Sequence, residues 1–136
     1  MSKVLIIGSD PNIINHIPLF LENSGFDVLV TNDGASGLQK TMEFLPDIIL
    51  CNADLPNRHG YEVFKELQQN ISTATIPFIL LMDNASIQNI REAMNLGIDD
   101  CLIKPLDFDE LSELIKTRIN KKQRIIDDRN KEVQTQ

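Results

Sequence analysis

The sequence predicts an α/β fold in which five strands alternate with helices. Short apolar runs recur along the chain over residues 4–7, 27–31, 48–51, 78–82 and 101–103, and a helix-length segment follows each one. Continuous aliphatic runs such as Val4-Leu5-Ile6-Ile7 are typical of strands that are buried on both faces of a parallel sheet. Regular alternation of strands and helices implies right-handed crossovers, so we expect a parallel sheet covered by helices on both faces.

Local signals indicate where the helices begin and end. Asp10 and Pro11 suit the N-cap and the first position of the first helix, and Gly25 suits its end. Pro18 lies inside this segment and predicts a kink or a lost hydrogen bond. The remaining helices are predicted over 35–44, 61–69 and 86–96, and from an N-cap at Asp107 onward.

Length and composition predict one ordinary globular domain. The chain has 136 residues, 42% of them hydrophobic and 24% charged, which is average for a globular protein. No apolar run approaches the ~18 residues that a membrane helix needs, and Met1 leads directly into a strand rather than a signal peptide. We therefore expect a cytoplasmic protein that does not associate with membranes.

The charge is divided unevenly along the chain. Residues 1–115 contain 6 Lys and Arg against 17 Asp and Glu, whereas residues 116–136 contain 7 against 3. The acidic body repels phosphates, which argues against direct nucleic-acid binding by the globular part. The basic end could contact polyanions, although a solvated helix face of mixed charge is the interpretation we favour.

In sheets of this kind the functional crevice lies beyond the carboxyl ends of the strands. This rule selects the segments 8–10, 52–54 and 82–84, together with Lys104.

The residues at these strand ends resemble the receiver domain of two-component response regulators, the CheY-like family. The resemblance covers residues 3–120 and rests on the run from Pro46 to Gly60, the pair Asp99-Asp100, and Lys104-Pro105. It implies a flavodoxin-like (βα)5 fold with strand order 2-1-3-4-5 and a cis peptide bond before Pro105.

The resemblance also implies that the active pocket is degenerate. Asn52 stands where the family has the aspartate that accepts a phosphoryl group, and an amide is not a nucleophile for that step. Gly8 and Ser9 stand where acids hold Mg²⁺, so that Asp10 is the only acid left in that run. We expect no catalytic residue and no cofactor, with Mg²⁺ binding weak or absent.

The other pocket positions depart from the family pattern as well. Met82-Asp83 replaces a hydroxyl residue and a small residue, and Cys101 replaces the aromatic residue of the switch position. Lys104 alone matches the pattern. The predicted degenerate phosphate pocket consists of Gly8, Ser9, Asp10, Asn52, Asp54, Met82, Asp83 and Lys104.

Each of these residues also has a purely structural interpretation. Asn52 could be a loop-capping amide, and Lys104 could simply pair with Asp10 or Asp83. His16 is expected to be a partly buried structural residue on the first helix. Cys51 and Cys101 lie at the ends of two predicted strands, and the implied strand order puts another strand between these two. The cysteines therefore lie beyond disulfide reach and should be reduced.

The end of the chain predicts an extended last helix. Helix-compatible sequence continues past Arg129, and Ile119, Ile126 and Val133 recur every seven residues, with charged Lys122 and Arg129 at the companion positions. We divide the chain into a receiver domain (1–120) and a helical extension or linker (121–136). A weak coiled coil that forms a homodimer and a frayed, solvated linker are equally compatible with this pattern.

Two functions remain open at this point. The first is an interaction module of the pseudo-receiver kind, which has no enzymatic activity and binds signalling proteins such as a histidine kinase or an output domain. The resemblance places its interaction surface on the fourth helix, fifth strand and fifth helix. The alternative is a phosphorelay receiver that is phosphorylated on a substitute acid, Asp54 or Asp10.

Overall fold

The computed structural model describes residues 2–56, 58–83 and 87–134. Within these ranges seven strands and six helices follow one another. They are β1 (Lys3–Ile7), α1 (Pro11–Asn23), β2 (Asp27–Thr31), α2 (Gly34–Phe44), β3 (Ile48–Asn52), β4 (Asp54–Leu55), β5 (Arg58–His59), α3 (Gly60–Gln68), α4 (Ile71–Ala74), β6 (Phe78–Met82), α5 (Ile87–Leu96), β7 (Asp100–Ile103) and α6 (Phe108–Gln134).

Five of the strands form a parallel sheet in the order β2-β1-β3-β6-β7. The predicted fourth and fifth strands are β6 and β7, so the predicted fold class and strand order are confirmed. The register places Asn52 beside Leu81, and Met82 beside Ile103. The carboxyl ends of the three strands β3, β6 and β7 therefore meet at one edge. The Lys104-Pro105 peptide bond is cis, as the resemblance implies.

Two hydrophobic layers cover the sheet. On one face α1 and α6 pack on the sheet through apolar side chains such as Ile13, Ile17, Leu111 and Ile115, all of them buried. On the other face α3 and α5 contribute Val63, Phe64, Leu67 and Ala93. Because β1, β3 and β6 are buried between these layers, their side chains are apolar at nearly every position.

Two short elements were not predicted. Where the sequence suggested a loop, β4 and β5 form an antiparallel hairpin that pairs Asp54 with His59. The Gly60 N–H closes this turn by donating to the Ala53 carbonyl at 2.7 Å. The second element is α4, a single helical turn capped by the Asn70 side chain, which accepts from the Ser72 N–H.

The last helix is 27 residues long. In its first half Ile115 is fully buried and Ile119 packs against the core, so these two side chains serve the domain itself. Beyond them Ile125 and Ile126 are exposed. The side chain of Val133, the last member of the predicted repeat, lies outside the described residues. No helix in the described ranges is long and apolar enough to cross a membrane.

Candidate functional site

The side chain of Lys104 lies at the centre of the strand-end edge. Its Nζ donates to Asn52 Oδ1 at 2.7 Å and to Asp10 Oδ2 at 2.8 Å. It also forms an ion pair with Asp83 Oδ1 at 3.2 Å. An ammonium group has three hydrogens, and three oxygens surround it here. The predicted pairing of Lys104 with Asp10 or Asp83 is therefore present with both acids, and Asn52 adds a third partner.

Asn52 is held from both ends of its amide. It is the last residue of β3 and is buried. Its Oδ1 accepts from Lys104, and its Nδ2 donates to the Asp54 carbonyl oxygen at 2.9 Å. The two contacts fix which end of the amide carries oxygen. Asn52 thus caps the following turn and also lines the pocket, so the two interpretations of this residue are compatible.

The β1–α1 turn contributes one carboxylate to the pocket. Gly8 is buried, and its N–H donates to the Thr31 carbonyl at 2.9 Å. A Cβ at Gly8 would lie 3.2 Å from Asn52 Cβ, which is a tight contact. Ser9 is exposed, and Asp10 carries the carboxylate that binds Lys104.

The remaining pocket positions are less involved than the resemblance implies. Asp54 is exposed on β4, and its contact to the pocket is made by its backbone carbonyl. Met82 is buried in the hydrophobic layer under α3 and α5, and only its carbonyl meets the pocket, accepting from the Lys104 N–H at 2.8 Å. Asp83 reaches Lys104 from solvent, with 63% of its side chain exposed.

The two cysteines are free thiols on strands that flank β6. Burial raises the pKa of the Cys51 thiol far above its ordinary value. Cys101 is half-buried, and its pKa is raised by burial and then by the neighbouring charge of Asp100. Both shifts keep the thiols protonated at neutral pH.

Sequence reasoning missed the role of Tyr61, which packs on the same hydrophobic layer as Cys101. Its hydroxyl donates to the Asn89 carbonyl at 3.1 Å and so connects α3 to α5. Burial, followed by the charge of Glu92, raises the pKa of this phenol. In the sequence, Tyr61 stands at the start of the predicted third helix, close after the Asn52 segment, and this position was the signal that it lies near the pocket.

A cleft of about 300 Å³ adjoins Lys104 between α1 and the turn before α6. His16 lies at this cleft and is exposed, so the expectation of a partly buried structural His was wrong. The helical spacing of Ile13, His16 and Ile17 was a signal for this wall of the cleft. Its other lining residues are Pro105, Leu106 and Phe108.

Metal-binding clusters are absent from the described residues: no group of three or more His, Cys, Asp or Glu side chains comes together there.

The family model of the response regulator receiver domain matches residues 4–116. This chain belongs to that family. It is 31% identical over 121 residues to the response regulator ArlR of Staphylococcus saprophyticus, covering 89% of this chain and 54% of that protein. It is 32% identical over 125 residues to the DNA-binding dual master transcriptional regulator RpaA of Synechocystis, covering 92% of this chain and 52% of RpaA. The receiver chain thus spans about half the length of these curated relatives.

Solved receiver structures have the same architecture. A response regulator receiver domain from Clostridium thermocellum superposes with a TM-score of 0.84 at 26% identity, over 92% of this chain and 99% of that one. The receiver domain of the sensor histidine kinase PA1611 from Pseudomonas aeruginosa superposes with a TM-score of 0.79 at 27% identity, over 88% of this chain and 98% of that one. That structure has a magnesium ion coordinated in its active-site cleft.

Proposed function

We propose that this receiver domain is a phosphorylation-independent protein-interaction module, a pseudo-receiver. The observation that carries the proposal is the environment of Lys104. Its ammonium group is surrounded by oxygens of Asp10, Asn52 and Asp83, and only 12% of the side chain is exposed. The Lys104 ammonium thus already has its full set of hydrogen-bond partners within the pocket. Beside it lies the amide of Asn52, at the position where the family has the aspartate that accepts a phosphoryl group.

The chemistry of the pocket argues against aspartyl phosphorylation at the family position. The Asn52 nitrogen is an amide nitrogen with no nucleophilic lone pair, and it already donates to the Asp54 carbonyl. The Asn52 oxygen carries no full charge and accepts from Lys104. A phosphoryl group would also approach Asp10 and Asp83, and like charges disfavour it.

The alternative, phosphorylation of Asp54 or Asp10, is less well supported. Asp54 is exposed on the hairpin, where a phosphoryl group would lack the Lys104 contact. Asp10 is within 2.8 Å of the Lys104 ammonium, so attack on a phosphoryl donor would cost the carboxylate that ion pair.

The donor set does not fit a magnesium ion well. Mg²⁺ requires near-octahedral oxygen ligands and usually one or two carboxylates. Of the carboxylates at this edge, Asp10 and Asp83 are paired with Lys104, whose own charge repels a cation. Ser9 supplies a hydroxyl where the family has an acid. We infer that Mg²⁺ binding is weak or absent.

The interaction surface that we propose consists of α5, β7 and the start of α6. These are the predicted fourth helix, fifth strand and fifth helix. It exposes three large apolar side chains, Ile87, Met94 and Ile103, of which Met94 is 50% and Ile103 47% exposed. Ile87 and Met94 are seven residues apart and so lie on the same side of α5, and exposed apolar side chains favour protein association over solvation. The binding partners in this proposal are other signalling proteins, either a histidine kinase or an output domain, in a cytoplasmic setting.

The test is phosphorylation by a small donor. The protein is incubated with Mg²⁺ and acetyl phosphate, and its intact mass is measured; a receiver that has aspartate at the Asn52 position serves as the positive control. We expect no 80 Da adduct on this chain when the control is modified. An adduct that disappears in Asp54→Asn or Asp10→Asn would overturn the proposal and support the alternative.

The surface is tested separately by substitution. Ile103→Lys is compared with Ile71→Lys, which changes a side chain on α4 that is also exposed but lies outside the proposed face. Partners that the wild-type protein captures from its native host should be lost with Ile103→Lys and kept with Ile71→Lys. Equal retention by both variants would remove this face from the proposal.

A further inference from the structure

A second groove lies at the opposite end of the strands from Lys104. It has a volume of about 620 Å³ and runs between the second half of α6 and the amino-terminal edge of the sheet, where Pro77 precedes β6 and Asp99 precedes β7. The floor is mixed: Phe64, Ile76 and Pro77 contribute apolar side chains, of which Phe64 and Ile76 are buried, and Gln68, Thr75 and Asp99 contribute polar ones. The outer wall is one stripe of α6.

That stripe combines apolar and basic side chains. Ile125 and Ile126 line the groove with 46% and 39% of their surfaces exposed. Four basic side chains flank them along the same wall: Arg118, Lys121, Lys122 and Arg129. From residue 118 to residue 129 the helix rises about 16 Å, or three turns.

Most of the positive charge at this wall is uncompensated. Arg118 is paired with Asp100 at 2.8 Å, and its buried Nε has no hydrogen-bond partner in the described part of the chain. Lys121, Lys122 and Arg129 form no ion pair with any described residue. The one acid in the lining, Asp99, accepts from the Phe78 N–H at 2.7 Å.

We propose that this groove binds an acidic amphipathic helix of a partner protein. Apolar side chains of such a helix would cover the exposed Ile125 and Ile126, and its carboxylates would meet the basic rim, as in helix-in-groove recognition. The site is distinct from the α5–β7–α6 face, so it goes beyond the proposed function and is independent of the chemistry at Lys104.

The charge of the groove also argues against two other occupants, a second copy of this chain and a nucleic acid. A two-fold symmetric pair of α6 helices would place this basic stripe near its own copy, and like charges would repel. A nucleic acid would meet the basic rim but would leave Ile125 and Ile126 uncovered, and the body of the domain is acidic. An acidic amphipathic helix can cover the apolar side chains and also pair with the basic ones.

The experiment uses a designed probe on the full chain. The probe is a fluorescein-labelled peptide of 17 residues with Leu at i, i+3, i+4 and i+7 spacing and Glu at the other positions. The control peptide has Lys in place of each Glu. Fluorescence anisotropy should show saturable binding of the acidic peptide alone, weakening as salt is raised.

Variants with a matched control locate the binding. Lys122→Glu and Arg129→Glu reverse charges in the groove, whereas Arg124→Glu makes the same change on another face of α6. We expect each groove variant to weaken binding by about tenfold or more and Arg124→Glu to have little effect. The double change Ile125→Ser with Ile126→Ser should weaken binding without altering the circular dichroism spectrum.

Three kinds of result would overturn the proposal. One is no saturable binding, or equal binding of the Lys peptide. Another is equal weakening by Arg124→Glu, or full competition by poly-glutamate, either of which would indicate a non-specific polyanion effect. The third is a homodimer in sedimentation velocity that Lys122→Glu abolishes, because the groove would then belong to a second copy of this chain.

Discussion

Removing the Lys104 ammonium should destabilise the domain substantially. In Lys104→Met the apolar part of the side chain is kept and the charge is lost. Asn52 Oδ1 then becomes a buried acceptor without its donor, which costs about 1–3 kcal/mol. Asp10, whose side chain is 22% exposed, loses a charge-assisted bond of 2.8 Å, worth about 1 kcal/mol after allowance for solvent.

The expected loss in the free energy of unfolding is therefore about 2–4 kcal/mol. Urea denaturation followed by circular dichroism measures it. With a slope of about 2 kcal/mol per molar urea, the middle of the range for small domains, the midpoint should fall by roughly 1–2 M at unchanged slope.

Two further variants make the reasoning specific. Asp10→Asn should cost about 1–2 kcal/mol, whereas Asp83→Asn should cost less than about 1 kcal/mol because Asp83 is 63% exposed. A double-mutant cycle between Lys104→Met and Asp10→Asn should give a coupling energy of about 1 kcal/mol or more. A loss below about 0.5 kcal/mol in Lys104→Met, or equal costs for the two acids, would refute this account of the pocket.

Three other outcomes are expected. Asn52→Asp alone should not give a protein whose melting temperature rises with Mg²⁺, since Lys104 remains bound to the acids; a clear rise would show unrecognised ligands. Burial raises the pKa of both thiols. The native protein at pH 8 should therefore react with iodoacetamide slowly at Cys101 and more slowly still at Cys51. Equal reaction rates for the native and the urea-unfolded protein would contradict this. Gly60→Ala should cost about 1–3 kcal/mol in urea denaturation, because a Cβ there would lie 2.9 Å from the Asn52 carbonyl oxygen and 2.7 Å from Leu80 Cδ1; an unchanged midpoint would mean that the turn yields easily.

Much of the fold could be predicted because the strands are buried on both faces. Runs such as Phe78–Met82 contain only apolar residues, and that composition follows directly from burial. The hairpin β4–β5 and the single turn α4 have too few residues to produce a periodic pattern. The sequence therefore indicated turns there and nothing more.

The site was predicted only in outline. The strand-end rule selected Asp10, Asn52 and Lys104, whose side chains meet in the structure because parallel strands bring their carboxyl ends to one edge. The rule alone places Met82 and Asp54 in the pocket, whereas in the structure Met82 is buried in the hydrophobic layer and Asp54 is exposed. Side-chain direction near a strand end depends on where regular pairing stops, and that is a property of the folded backbone.

The length of α6 has a mechanical consequence. Leu111 and Ile115 fasten the beginning of the helix to the sheet, and the Arg118–Asp100 ion pair ties it to β7. A helix of 27 residues is about 40 Å long. Beyond Arg118 the helix continues for about 24 Å, so a tilt of about 10° at that point would displace the far end by about 4 Å, since this part turns as a rod. Because the fastened part is tied to β7 and the part beyond it forms the wall of the basic groove, a change of tilt at β7 would widen or narrow that groove.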